Sequence, residues 1–480
     1  MKARNSFGIV SLAVLLLSTG GSWAQAPKPG SGLDAANFIP MRERVRLMET
    51  FWAWKKSHVL PLIMREQGVD MWIVRNDEEP LYRQTSYREH PVYLSLLPAD
   101  HEGMVTPSKS ARNSMDVPEI LIFFDTGSEI EFLEPKDYAE ITRLVREKDP
   151  RKIAISVKNL YIRKQKFGDT EQITIVTSDE MQRALGSPYA SRTVDSLQLG
   201  ILWLSIIGPE QRSAYRYVQG VQNDIIAEAF SNRVIIPDVT TIEDLNWWIR
   251  DRCEDLHLDI DNHPSVVVLR RPSKIAEYPE SARYFRNGSA GNGADVIIRR
   301  GDIVGLDSDI MLLGLETDSQ QFAYVLQEGE TDVPQSLKDA LRLMNEMIDA
   351  YRAAYVVGRT AEEIREAGNT IKPHDPRILG AKFGFHPPPM FIQRFSQNGL
   401  KFSDGTYVAG IGRGYKQHPL YSPTLPLHYN TLYAHEPSFT FAVPEWGEDG
   451  LSFAVEQLVV FTERGCEYLD RANLEWHVVK

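Results

Sequence analysis

Four acidic residues in the last third of the chain carry its strongest chemical signal: Asp307 and Asp318 on either side of an expected hairpin, then Glu436 and Glu456 on strand-like segments near the C-terminus. Carboxylates that a fold gathers into one place must be hydrogen-bonded, protonated or neutralised by a cation. A carboxylate-bridged pair of divalent metal ions is the sharpest chemistry for such a set. An exposed edge carboxylate or a buried salt bridge to arginine would account for any one of these acids, but less readily for all four.

The local pattern places them. Gly301-Asp302 turns into the run Ile303 to Asp307, and the chain returns through Leu315 to Val325. Strand side chains alternate, so Asp307 and Asp309 share a face, and a return at Gly314 brings Asp318 toward Asp307. Glu436 follows Tyr433-Ala434-His435, and Glu456 interrupts the otherwise apolar strand Phe453 to Phe461. Adjacent strand residues face opposite ways, which makes His435 a poor partner for Glu436 on one ion. Oxygen-rich ligation suits manganese or another first-row divalent ion, with zinc also open.

Gly301-Asp302-Ile303-Val304-Gly305-Leu306-Asp307, Glu316-Thr317-Asp318-Ser319-Gln320-Gln321, Glu436-Pro437, and Val455-Glu456 followed by Phe461-Thr462-Glu463-Arg464-Gly465 stand in a familiar order. In these motifs the chain resembles the metallopeptidase family of Xaa-Pro aminopeptidases, prolidases and methionine aminopeptidases, with a creatinase-type N-terminal domain and a pita-bread catalytic domain. The resemblance implies that Asp307 binds one metal bidentately, that Asp318 and Glu456 bridge both, and that Glu436 holds the other. It makes His386, in Gly384-Phe385-His386-Pro387, the candidate fifth ligand and catalytic partner of Glu436, with His418 a candidate substrate contact. The implied activity is metal-dependent hydrolysis of small peptides or related amides, of the Xaa-Pro aminopeptidase or dipeptidase type, with two manganese or zinc ions. A homodimer is also expected.

Three departures from the family pattern stand out. The first aspartate is followed by Ser308-Asp309 where the family has x-Gly, the segment around His386 lacks the family's glycines, and Asn287 to Arg300 contains no histidine. A metal-independent or non-peptide C–N hydrolase of creatinase type, or a non-catalytic binding protein on the same fold, therefore remains open.

The elements that must position these residues fall into two groups. A helix over Met41 to Gln67, strands at Asp70 to Arg75, Glu119 to Phe124, Lys152 to Val157 and Ile173 to Val176, and helices between them predict an α/β N-terminal domain over 31–207. Gly208-Pro209 then punctuates the chain before a long helix over Glu210 to Phe230. The rest, 208–480, is expected to be an α+β domain with a curved, mostly antiparallel sheet. A faint duplication supports it: Thr241 and Thr360 each follow a long helix and a short turn, with acids placed to cap the next helix.

The first 24 residues show a charged start, an apolar stretch and small residues ending in Ser22-Trp23-Ala24, the order of a secretory signal. Cleavage there predicts an exported protein, periplasmic in a Gram-negative source, with a retained anchor or a cytosolic terminus as the alternative. The 480 residues exceed the size at which one core stops growing. Net charge of -12 and the lack of any long basic run argue against a nucleic-acid partner, and no stable membrane insertion is expected. Cys253 and Cys466 are too far apart for a CxxC motif, and pairing or two buried thiols both remain open.

Overall fold

The structure, a computed structural model, describes residues 33, 38–75, 96, 120–155, 160–166, 169–174, 178–258, 260, 264–386, 401–402, 426–470 and 475–480. The expected signal peptide and His418 lie outside the described residues, as does the side chain of His386.

The N-terminal part is an α/β layer structure. Strands β1 (Met71–Arg75), β2 (Ile120–Asp125), β3 (Ile130–Leu133), β4 (Ile153–Ile155) and β5 (Thr193–Asp195) form one mixed sheet in the order β3-β2-β1-β4-β5. Alternation along β1 gives this sheet two apolar faces. Trp72 and Val74 join Leu60, Ile63 and Met64 of α1 (Met41–Glu66). Met71 and Ile73 join Ile141 and Val145 of α2 (Tyr138–Lys148) and Leu185 of α3 (Ser178–Leu185). Helix α4 (Leu197–Ser205) adds Leu199, Leu202 and Trp203 to the α1 side. Gly208 follows, and a Cβ there would stand 2.8 Å from the Trp54 ring, so the close approach of α1 requires glycine.

The remaining elements are open, mostly antiparallel sheets flanked by two helix pairs, the arrangement of a pita-bread fold, with no barrel among the described residues. Helices α5 (Pro209–Ala229) and α6 (Ile242–Asp255) accompany a sheet of β6 (Ser265–Leu269), β7 (Ser289–Ala290), β8 (Ile303–Ser308) and β9 (Ser319–Val325). Helices α7 (Gln335–Arg352) and α8 (Ala361–Asn369) accompany a second half that includes β10 (Phe385–His386), β11 (Thr431–His435), β12 (Leu451–Ala454), β13 (Gln457–Thr462) and β14 (Gly465–Tyr468). The C-terminal β15 (His477–Val479) pairs in parallel with β9. Thr241 and Thr360 are N-caps of α6 and α8, and each forms a full capping box, with Asp244 and Glu363 respectively.

Two features fix β8. At its start, Asp302 receives Arg270 Nε at 2.8 Å and Nη2 at 2.7 Å, with both side chains 1% exposed. At its centre, a Cβ on Gly305 would lie 2.5 Å from the Phe322 ring of β9 and 2.6 Å from Val267 of β6, so only glycine lets the three strands close up. Cys253 and Cys466 are both free and buried in separate apolar cores. Burial pushes their thiols up, to about 11 and about 12.

Candidate metal centre

Strand register gathers the acids. Asp307 of β8 pairs with Gln320 of β9. Gln320 in turn bridges Glu456, with reciprocal backbone bonds of 3.1 and 3.2 Å. Directly opposed residues of antiparallel strands point to the same face. Asp307, Gln320 and Glu456 therefore form a row across three strands, and Asp318, two residues before Gln320, shares that face. One carboxylate oxygen from each of Asp307, Asp318 and Glu456 lies within 4.8 Å of the others, close enough to hold a metal ion. Asp318 and Glu456 are buried, 3% and 5% exposed, and Asp307 is half-buried.

Glu436 stands beside this group and outside the 4.8 Å set. His435 pairs with Gln457, and Val455 N donates to Pro437 O at 3.2 Å. Between those two contacts, the register sets Glu436 opposite Glu456, half-buried at the edge of the triad. The backbone of His386 pairs with Ala434 on the neighbouring strand. His435 points away from the acids: its ring packs on Tyr351 at 4.8 Å and Tyr355 at 5.9 Å, and neither ring nitrogen makes a hydrogen bond among the described residues. Burial pushes that imidazole down to about 3, so it is a neutral core group. His428 Nε2 lies 3.5 Å from Glu66 Oε2, at the end of α1.

Asp309 is the residue whose importance the sequence pattern underplays. Extending the Ser308–Ser319 pairing by one step sets Asp309 opposite Asp318. Burial first, and then the charges of Glu456, Asp309 and Asp307, raise the Asp318 carboxyl well above its ordinary value, and Asp318 shares a hydrogen bond with Glu456. A site of this kind demands a proton or a cation. The donors on this face are carboxylate oxygens, which fit a hard divalent ion. The signal for Asp309 was its two-residue spacing from Asp307, which by itself fixes a face and not a partner.

No protein-family model matches the chain. No curated protein matches it. Among solved structures it is similar to an X-Pro aminopeptidase from Thermotoga maritima, at 13% identity and a TM-score of 0.49, covering 86% of this chain and 98% of that one. A putative aminopeptidase P from Bacillus anthracis aligns at 10% identity and a TM-score of 0.48, over 91% of this chain and 95% of that one. A Xaa-Pro dipeptidase from the same organism aligns at 12% identity and a TM-score of 0.43, over 92% of this chain and 100% of that one. Identity at this level carries no activity from those proteins to this chain.

Proposed function

We propose that this chain is a metal-dependent hydrolase of small peptides or related amides, acting on N-terminal residues that precede proline, with manganese as the preferred ion. The observation that carries the reading is the convergence of carboxylate oxygens of Asp307 in β8, Asp318 just before β9 and Glu456 just before β13 to within 4.8 Å at a buried junction. Three carboxylates in that space are unstable as free anions, and divalent cations relieve them. Asp307, Asp318, Glu456 and Glu436 would hold a pair of ions, whose chemistry is to polarise an amide carbonyl and acidify water.

The chain's own groups supply the rest. Asp318 and Glu456, buried side by side, would hold the ions from the inner wall of the site. Glu436, half-buried at the rim, accepts the proton of the attacking water and delivers it to the leaving nitrogen. Exclusion of bulk water around the buried pair strengthens every charge interaction there.

A panel of Xaa-Pro dipeptides and tripeptides, assayed with manganese beside creatine-like guanidino compounds, tests the substrate class. Release of the residue before proline is the expected result. Turnover confined to the guanidino compounds, or turnover undiminished by exhaustive chelation, would overturn it.

A further inference from the structure

Behind the acids, on the opposite face of the same strands, α5 buries polar side chains among apolar ones, and Gln219 Nε2 and Gln321 Nε2 both donate to Asn223 Oδ1 there, at 3.2 and 2.8 Å. Gln219 and Gln222 are 3% and 0% exposed and sit about one helical turn apart among Val218, Val221, Ile225 and Ile226. Gln219 Nε2 donates to Ser319 Oγ at 2.6 Å, and Gln222 Nε2 donates to the Ser308 carbonyl at 2.8 Å. Ser308 and Ser319 are partners across β8 and β9, and each immediately follows one of the aspartates.

The position of this contact matters. The Ser308–Ser319 pair is the last rung of the β8–β9 ladder. Asp309 and Asp318 stand one step beyond it, before the hairpin resumes with Thr317 N donating to the Ile310 carbonyl at 3.0 Å, so the amides of α5 act at the rung nearest the acids. A directional hydrogen bond at the last rung fixes strand spacing more tightly than apolar packing does. The arrangement also carries a stability penalty: Gln219 Oε1, Gln222 Oε1 and Ser308 Oγ are buried and make no hydrogen bond among the described residues. An apolar layer would be easier to pack, so the amides are better explained by geometry than by stability.

We propose that Gln219 and Gln222 are positioning residues, a clamp on the rear of the sheet that sets the spacing of Asp307 and Asp318 and so the affinity for the second metal ion. The proposal rests on the metal-site reading above. Each glutamine acts through a serine and touches neither ion nor substrate.

The test compares the full-length chain with Q219L, Q222L and S319A, measuring melting temperature, manganese binding by titration calorimetry, and the electron paramagnetic resonance signal of a coupled manganese pair. Expected are melting temperatures at or above wild type, second-ion binding weakened about 10- to 100-fold, and a diminished coupled-pair signal. Q219L and S319A both remove the Gln219–Ser319 hydrogen bond, Q219L losing the 3.2 Å bond to Asn223 as well, so their effects on affinity should combine to less than their sum. Wild-type affinity and signal in these variants would overturn the clamp while leaving the metal reading intact. Wild-type protein that takes up no manganese overturns the metal reading, and the clamp with it. Should Q219L fail to fold, S319A, which loses only a hydroxyl, decides the matter by the same measurements.

Discussion

Replacing Asp302 by alanine should cost the protein more than any surface change, because it strands a guanidinium in the core. Arg270 is 1% exposed, and Asp302 supplies both oxygens to it, at 2.8 and 2.7 Å. The same carboxylate accepts Arg299 N at 2.7 Å, which closes the turn into β8. Arg270 would keep its 2.8 Å bond to the Ile297 carbonyl and its place against Phe285 and Tyr278, none of which neutralises its charge. Breaking a buried pair from one side costs about 3–5 kcal/mol. Urea unfolding of the metal-free protein, followed by tryptophan fluorescence, measures it. Removing both charges together, as Arg270→Met with Asp302→Leu, should recover most of the loss, since two apolar groups leave no stranded ion. A loss below about 1 kcal/mol for Asp302→Ala alone would refute the reasoning, by placing the pair among weak solvent-screened bridges.

Asp318→Asn should raise the melting temperature of the metal-free protein, by replacing a buried carboxyl crowded by like charges with a neutral amide, and should abolish any added stability from manganese; scanning fluorimetry with and without the ion checks both, and an undiminished manganese shift would contradict it. His435 and His477 are pushed down to about 3 and about 4 by burial, from an ordinary value of 6.5. The unfolded chain therefore takes up their protons first, so the stability present above pH 6.5 is lost as pH falls toward those values, and His435→Phe should flatten part of the slope of melting temperature against pH. Thr360→Ala removes the cap on Glu363 N and should cost about 0.5–2 kcal/mol in chemical denaturation, whereas Thr360→Ser should cost little.

Much of the architecture is legible locally. The helix expected over Glu210 to Phe230 is α5, Pro209–Ala229, because its apolar positions recur at helical spacing and Gly208-Pro209 fixes its start. The two threonine caps are equally local, since each partner acid stands three residues on. Asp307 and Asp318 could be brought toward each other by one hairpin. What joins them to Glu456 is the bridge through Gln320, a pairing between strands far apart in sequence that no local periodicity encodes. For the same reason Asp309 reads in sequence as a departure from a pattern, and only register sets it against Asp318. Gln219 and Gln222 look like ordinary polar positions of a surface helix, and their burial is decided by the serine-bearing strands packed beneath them.

Metal binding tests the central claim most directly. Protein purified without chelator and titrated with manganese should hold about two ions per chain by elemental analysis and calorimetry, with alanine at Asp307, Asp318 or Glu456 each removing tight binding while the chain stays folded by circular dichroism. A folded wild-type chain that takes up no manganese, cobalt or zinc would contradict the account.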